Sequence, residues 1–339
     1  MTLESYILDV MEGKRKGRSV LHLLSTLYRS GVALRNLAYD LRVLAAKKVG
    51  VPVVSVGNIV AGGTGKTPFV KMLAEALSQT IKVAILSRGY LSEVEKSGET
   101  LCIHAETPVK MCGDEPFWLA RELPQVSVWV GKNRCESALR ALEKGASVLL
   151  LDDGMQYRDL HRDVEIVVMD GEDLFGKGYF LPRGLLRDTP KRLKRADLIV
   201  INDAKCHKKV KEILSLYTQA PLMFVRMKLQ ENLKGKRVGV FCAIGKPEKF
   251  VHSVKECGSQ VTATFFKPDH MPFSPEELTA FAQRAGADML VCTQKDHVKL
   301  PQQLVCGLPV LPLAGEFEIV SGKEEWQSLI ENIKKRASI

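Results

Sequence analysis

One stretch near the start of the chain limits its architecture more than any other. Val53-Val54-Ser55-Val56 reads as a buried strand and runs straight into Gly57-Asn58-Ile59-Val60-Ala61-Gly62-Gly63-Thr64-Gly65-Lys66-Thr67. Glycines let backbone N–H groups curl around phosphate oxygens, and a helix opening at Gly-Lys-Thr adds the positive potential of its N-terminus. Gly62, Gly63, Thr64, Gly65, Lys66 and Thr67 are the candidate nucleotide-binding residues. Lys66 is placed to reach β- and γ-phosphates and the Thr67 hydroxyl to ligate Mg²⁺, so ATP with Mg²⁺ is the expected cofactor pair. Pro68 is tolerated because first-turn N–H groups have no partner within the helix. The general pattern asks for glycine at position 60, where this chain has Val60, so the loop is a variant form.

From residue 52 onward short apolar runs alternate with longer mixed segments. The runs are Pro52–Val56, Val83–Leu86, Val148–Leu151, Ile166–Met169 and Leu198–Ile201, then Val238–Cys242, Val261–Phe265, Met289–Cys292 and Val310–Leu313. Such runs suit strands buried on both faces of a parallel sheet, with crossover helices between them. The expected fold is α/β: a P-loop NTPase (RecA-like) parallel sheet flanked by helices, a second smaller α/β domain, and an N-terminal amphipathic helix. The pattern turns ragged around Leu222–Lys236, which places the junction there. The expected divisions are 1–48 for the amphipathic region, 49–222 for the P-loop domain, 223–236 for a linker and 237–339 for the smaller domain. Val148-Leu149-Leu150-Leu151 ends in Asp152-Asp153, where open α/β sheets bind ligands, and either carboxylate is a candidate for Mg²⁺.

The net charge of +10 favours an anionic partner. Eight scattered cysteines with no CxxC pair read as reduced thiols in a cytoplasmic protein. Charged residues interrupt the N-terminus before any apolar run, so no signal peptide is expected, and no stretch reaches the ~18 apolar residues of a spanning helix. Residues 19–46 carry a helical stripe of Val20, Leu24, Leu27, Gly31, Leu34, Ala38 and Leu41, with Arg18, Arg29, Arg35, Arg42, Lys47 and Lys48 around it. That pattern fits either a helix lying in a bilayer interface or one packed on the domain.

Further motifs follow in order: Ser87-Arg88-Gly89-Tyr90, Gly113-Asp114-Glu115-Pro116, Asp152-Asp153-Gly154-Met155-Gln156, Phe241-Cys242-Ala243-Ile244-Gly245, Asp269-His270 and Thr293-Gln294-Lys295-Asp296. Together with the phosphate loop, this ordered set resembles the tetraacyldisaccharide 4′-kinases of lipid A biosynthesis, from about residue 20 to about residue 315. The resemblance implies transfer of the ATP γ-phosphate to the 4′-hydroxyl of a tetraacylated glucosamine disaccharide 1-phosphate, forming the lipid IVA type of product. It implies a peripheral enzyme on the cytoplasmic face of the inner membrane and tips residues 19–46 toward membrane contact. No nucleic acid and no obligate protein partner is expected.

A sugar hydroxyl needs a base as it attacks phosphorus. The resemblance makes Asp114 and His270 a catalytic dyad beside Lys66. Glu115 is a candidate support for Mg²⁺ or its waters, and Arg88 and Arg134 are candidates for binding a phosphate of ATP or of the acceptor. The chain departs from the family at Met271 and Tyr157, where histidine is usual, and over Leu181–Asp188. Without the acceptor chemistry, the same loop would suit a P-loop ATPase or GTPase switch acting through protein partners. A nucleic-acid binder is disfavoured, because aromatic content is only 6% and no stacking module is present.

Overall fold

The computed structural model describes residues 19–268, 271–300 and 304–338, with Tyr6, Val10, Met11 and Arg15 before them. The larger of its two sheets holds β1 (Val53–Gly57), β2 (Val83–Ser87), β3 (Thr100–Ile103), β4 (Ser127–Gly131), β5 (Val148–Asp152), β6 (Val164–Asp170), β7 (Leu198–Asn202), β8 (Leu222–Leu229) and β14 (Gly315–Ser321). Their order is β14-β8-β7-β6-β1-β5-β2-β4-β3, parallel throughout except for the two antiparallel edges. β1, β2, β5, β6 and β7 are buried at every position, as strands covered on both faces must be.

One face is covered by α2 (Lys66–Ser78), the short α3 (Glu93–Ser97) and α4 (Val109–Cys112), α5 (Asp114–Glu122) and α11 (Lys323–Ala337), which contribute Phe69, Leu73, Val94, Cys112, Leu119, Leu329 and Ile333 to the main core. The other face carries α6 (Arg134–Glu143) and α7 (His207–Ser215), packed through Ala138, Ala141, Val210 and Leu214. β1 lies centrally between β5 and β6, so its phosphate loop opens at the carboxyl edge beside Asp152 and Asp170. That edge is where open α/β sheets take ligands.

The second sheet runs β10 (Gln260–Phe266), β9 (Arg237–Cys242), β11 (Met289–Thr293), β13 (Leu308–Leu313), β12 (Leu304–Val305). α8 (Pro247–Glu256) and α9 (Pro275–Ala285) cover its two faces, and a reciprocal Ser274–Glu277 capping box starts α9. β10 alternates between exposed and half-buried positions, as an edge strand does, and so departs from the expected double cover.

Two expected divisions differ from what is observed. Half of the 223–236 linker is strand β8, and the 237–339 block is split at its end. After β13 the chain returns to the larger sheet: β14 pairs antiparallel with β8, and α11 sets Trp326 against Phe69 at a ring-centroid distance of 5.8 Å. An apolar face on α11 needs cover, and the larger core provides it through Leu329 and Ile333.

The N-terminal helix α1 spans Ser19–Asp40, shorter than the expected 19–46, and Arg42 beyond it takes a left-handed φ of 60°. Its buried residues are Leu21, Ser25, Val32 and Asn36. Ser25 Oγ donates to the Phe180 carbonyl at 2.8 Å, and Asn36 Nδ2 donates to Asp188 Oδ1 at 2.9 Å. Asp40 receives Arg158 at 2.9 Å and Arg195 at 2.8 Å. The helix therefore docks by a face of mixed polar and apolar residues and turns its leucine stripe to solvent, with Leu27 61% and Leu34 69% exposed. Among the described residues no helix is long and apolar enough to cross a membrane.

Candidate active site

The phosphate loop is held by side chains as well as by glycine. Asn58 Nδ2 donates to Thr64 Oγ1 at 3.1 Å, Asn202 Nδ2 to the Thr64 carbonyl at 3.3 Å, and Gln156 Nε2 to the Asn58 carbonyl at 2.8 Å. Gly65 has φ 95°, and a Cβ there would lie 2.7 Å from the Phe317 ring, so only glycine fits. Val60, the departure from the general pattern, is buried: its backbone bridges Leu186, and its side chain joins the cluster of Ile59, Met155 and Leu186, a packing role that glycine would not fill.

Lys66 opens α2, with its Nζ 3.7 Å from Asp153 Oδ1. Thr67 Oγ1 donates to Glu115 Oε2 at 3.1 Å. Asp114 and Glu115 are the first two residues of α5, set there by Gly113 at φ 88°. From the second sheet, the short helix α10 (Gln294–His297) lies against α5. Lys295 Nζ reaches Glu115 Oε1 at 3.3 Å, and Lys299 Nζ reaches Asp114 Oδ2 at 2.5 Å. His270, expected as the partner of Asp114, lies outside the described residues.

The acid pair ending β5 divides electrostatically. Asp152 is fully buried and accepts from Ser87 Oγ at 3.3 Å; burial, then the Glu115 and Asp153 charges, push its carboxyl up to about 7. Asp153, at φ 50°, turns the other way. Burial works against its ionisation too, but Lys66 and Arg187 outweigh it and hold the carboxyl below its ordinary range. Arg187 Nη1 donates to both Asp153 oxygens, at 3.1 and 2.9 Å.

The donors fit Mg²⁺. No cage of three or more His, Cys, Asp or Glu groups stands ready among the described residues. Magnesium takes one or two carboxylates and completes its shell with phosphate and water. Thr67, Glu115 and Asp152 supply hard oxygens, and the charge crowding that raises Asp152 is what a cation would relieve.

Beside this crevice is a cavity of about 710 Å³ lined in part by Lys47, Arg88, Lys132, Arg134 and Arg187. Arg134 is buried, its guanidinium 4.9 Å from the Tyr157 ring centroid, and burial lowers its pKa. Tyr157, a departure from the family pattern, thus gives Arg134 an aromatic face to stack on. Arg88 is half-exposed and pairs with Glu95. Arg187, which also lines the cavity, belongs to a run of basic residues at Arg183, Arg187, Lys191, Arg192, Lys194 and Arg195. Arg192 in that run is buried 3.5 Å from Asp40, so the run pins α1 and is no simple solvated face.

A phosphate loop on the central strand, an acidic strand end beside it and an acid pair at a facing helix N-terminus together define a P-loop kinase. Residues 18–334 match the family model described as Tetraacyldisaccharide-1-P 4′-kinase, and the chain belongs to that family. The tetraacyldisaccharide 4′-kinase of Chlamydia pneumoniae is 39% identical over 302 residues, 84% of this chain and 82% of that one. That of Syntrophus aciditrophicus is 34% identical over 364 residues, 95% and 96% of the two chains. The structure of LpxK from Aquifex aeolicus in complex with ATP has 33% identity and a TM-score of 0.74, covering 93% of this chain and 98% of that one.

Proposed function

We propose that this chain transfers the γ-phosphate of ATP to the 4′-hydroxyl of a tetraacylated glucosamine disaccharide 1-phosphate, working peripherally on the cytoplasmic face of the inner membrane. One observation supports this reading most: the phosphate loop, the Asp114–Glu115 pair and an arginine-lined cavity share one carboxyl edge. An ATPase switch has no use for a second anion cavity.

The loop backbone from Gly62 to Gly65 cradles the phosphates, and Lys66 neutralises charge growing on the transferred group. Asp114 accepts the acceptor hydroxyl proton, with His270 orienting it or taking up charge. Thr67, Glu115 and Asp152 would hold Mg²⁺, which would supply charge neutralisation for the phosphates. Arg134, desolvated and planar, suits a bidentate grip on the acceptor's phosphate, with Arg88 at the open side. The solvent-facing leucines of α1 rest in the bilayer interface and bring the crevice to its lipid acceptor.

The test is radiolabelled ATP with and without the acylated disaccharide phosphate in vesicles. Label on the lipid, dependent on Mg²⁺, supports the reading. Release of free phosphate with no labelled lipid would leave the ATPase switch in its place.

A further inference from the structure

The Thr293-Gln294-Lys295-Asp296 motif takes no part in the reaction described so far, although its geometry leads straight into the site. Asp296 is buried and locks the motif to the second sheet: it accepts from Thr293 Oγ1 at 2.6 Å and from Ala243 N at 3.1 Å. On that base, α10 runs along α5 of the larger sheet. Gln294 Oε1 accepts from Trp118 Nε1 at 2.8 Å, one turn past the acid pair. Lys295 meets Glu115, and Lys299 meets Asp114. The Lys299 and Asp114 side chains are only 12% and 14% exposed, so that pair is shielded from solvent, whereas Lys295, itself 18% exposed, meets a Glu115 that is 41% exposed.

We propose that Lys299, with Lys295 beside it, is a positioning residue: it orients the Asp114 carboxylate for the acceptor hydroxyl, so the base is set only while the second sheet is docked on α5. This rests on the reading of Asp114 as the group that receives the proton. A carboxylate at the start of a helix has free side-chain torsions. An ammonium held against Oδ2 fixes the plane of the carboxylate. Lys295 does the same for Glu115, whose other oxygen already takes the Thr67 hydroxyl. Both lysines ride on a segment anchored to Ala243, in the loop after β9 whose later residue Gly245 sits against the phosphate loop, where a Cβ would be 3.8 Å from Gly63 N. One rigid segment therefore couples loop and base.

The experiment is a double-mutant cycle on the full chain, with acceptor in vesicles and MgATP saturating. Lys299→Met is expected to lower kcat by roughly 10²-fold, the usual cost of misplacing a reacting group, with KM for ATP nearly unchanged. Lys299→Arg should recover part of the loss. In an Asp114→Asn background the same lysine change should cost nothing further, because it acts through the carboxylate that is already gone. Melting temperatures of all variants identify any that merely unfold, and Lys299→Arg then carries the comparison. Asp114→Asn with wild-type kcat overturns the underlying base assignment. Asp114→Asn impaired, with Lys299→Met at wild-type kcat or with losses that multiply, overturns this inference alone.

Discussion

Asp152 and Asp153 are neighbours in the chain with opposite protonation tendencies, and the difference bears on pH. Asp152 keeps its proton up to about 7, whereas an unfolded aspartate loses it in the ordinary carboxylate range. Between those values the folded form binds more protons than the unfolded one, so this group makes the nucleotide-free protein less stable as pH rises through the window. Each pH unit costs up to ~1.4 kcal/mol, and the trend levels off above about 7. Asp152→Asn should flatten that slope, which urea midpoints at about pH 5 and about pH 8 would show. A slope equal to wild type would rule out the burial argument. Lys66→Ala should cut kcat by ~10²-fold or more, since a positive charge at the transferred group is lost. Near-wild-type turnover at saturating ATP would end that assignment. The phosphate loop was readable because its residue types are consecutive. The division of the acid pair was not, because it depends on the Asp153 backbone angle and on Arg187, 34 residues away.

At the level of elements, the nine apolar runs all became strands: β1, β2, β5, β6 and β7 because a strand buried on both faces writes itself as such a run, β10 although it is an edge strand without double cover. β3, β4, β8, β12 and β14 escaped that rule: β4 holds only Val128-Trp129-Val130 between Ser127 and Gly131, and β8 and β14 alternate where they pair at the sheet's edge. Helix α1 shows what periodicity alone leaves open. The leucine stripe was plain in the sequence, but only the docked partners show that Ser25 and Asn36 face the protein while the leucines face out. Changing Leu24, Leu27 and Leu34 together to Ser should therefore leave the melting curve nearly untouched, since exposed positions usually shift stability by under ~0.5 kcal/mol. Vesicle sedimentation should collapse, because each leucine contributes up to ~1.5–3 kcal/mol on full transfer from water. KM for vesicle-borne acceptor should rise while ATP affinity holds. A destabilised triple mutant that still sediments would mean that the stripe is core and not contact.

Across the whole molecule, the two sheets meet at a charged contact separate from α10. Asp170, buried at the carboxyl end of β6, receives Lys246 Nζ at 2.5 Å and Lys249 Nζ at 3.2 Å from the second sheet. Lys249 also lies 3.5 Å from Glu172 and 3.6 Å from Asp203. None of this was readable in advance, since it joins positions that sequence places in different domains. Burial works to raise the Asp170 carboxyl, but hydrogen bonds from Lys246 and Glu172 N, with both lysine charges, hold it below the ordinary range. Its contribution to stability is therefore fully present above that range and is lost only as pH falls through the lowered value. Near neutral pH the contact is sensitive to salt and insensitive to protons, because Lys246 is 41% exposed and screened in part. Asp170→Asn keeps the shape, removes the charge that both lysines share and leaves Lys249 with Glu172 and Asp203. The expected result is a looser docking of the second sheet: a KM for ATP raised several-fold, with kcat at saturating MgATP changed less, because nucleotide re-forms the crevice. Adding salt should raise the wild-type KM toward that of the variant while moving the variant little, and small-angle scattering without nucleotide should give the variant a larger radius of gyration. Equal salt responses in the two proteins, with equal radii, would show that Asp170 does not govern how the sheets dock.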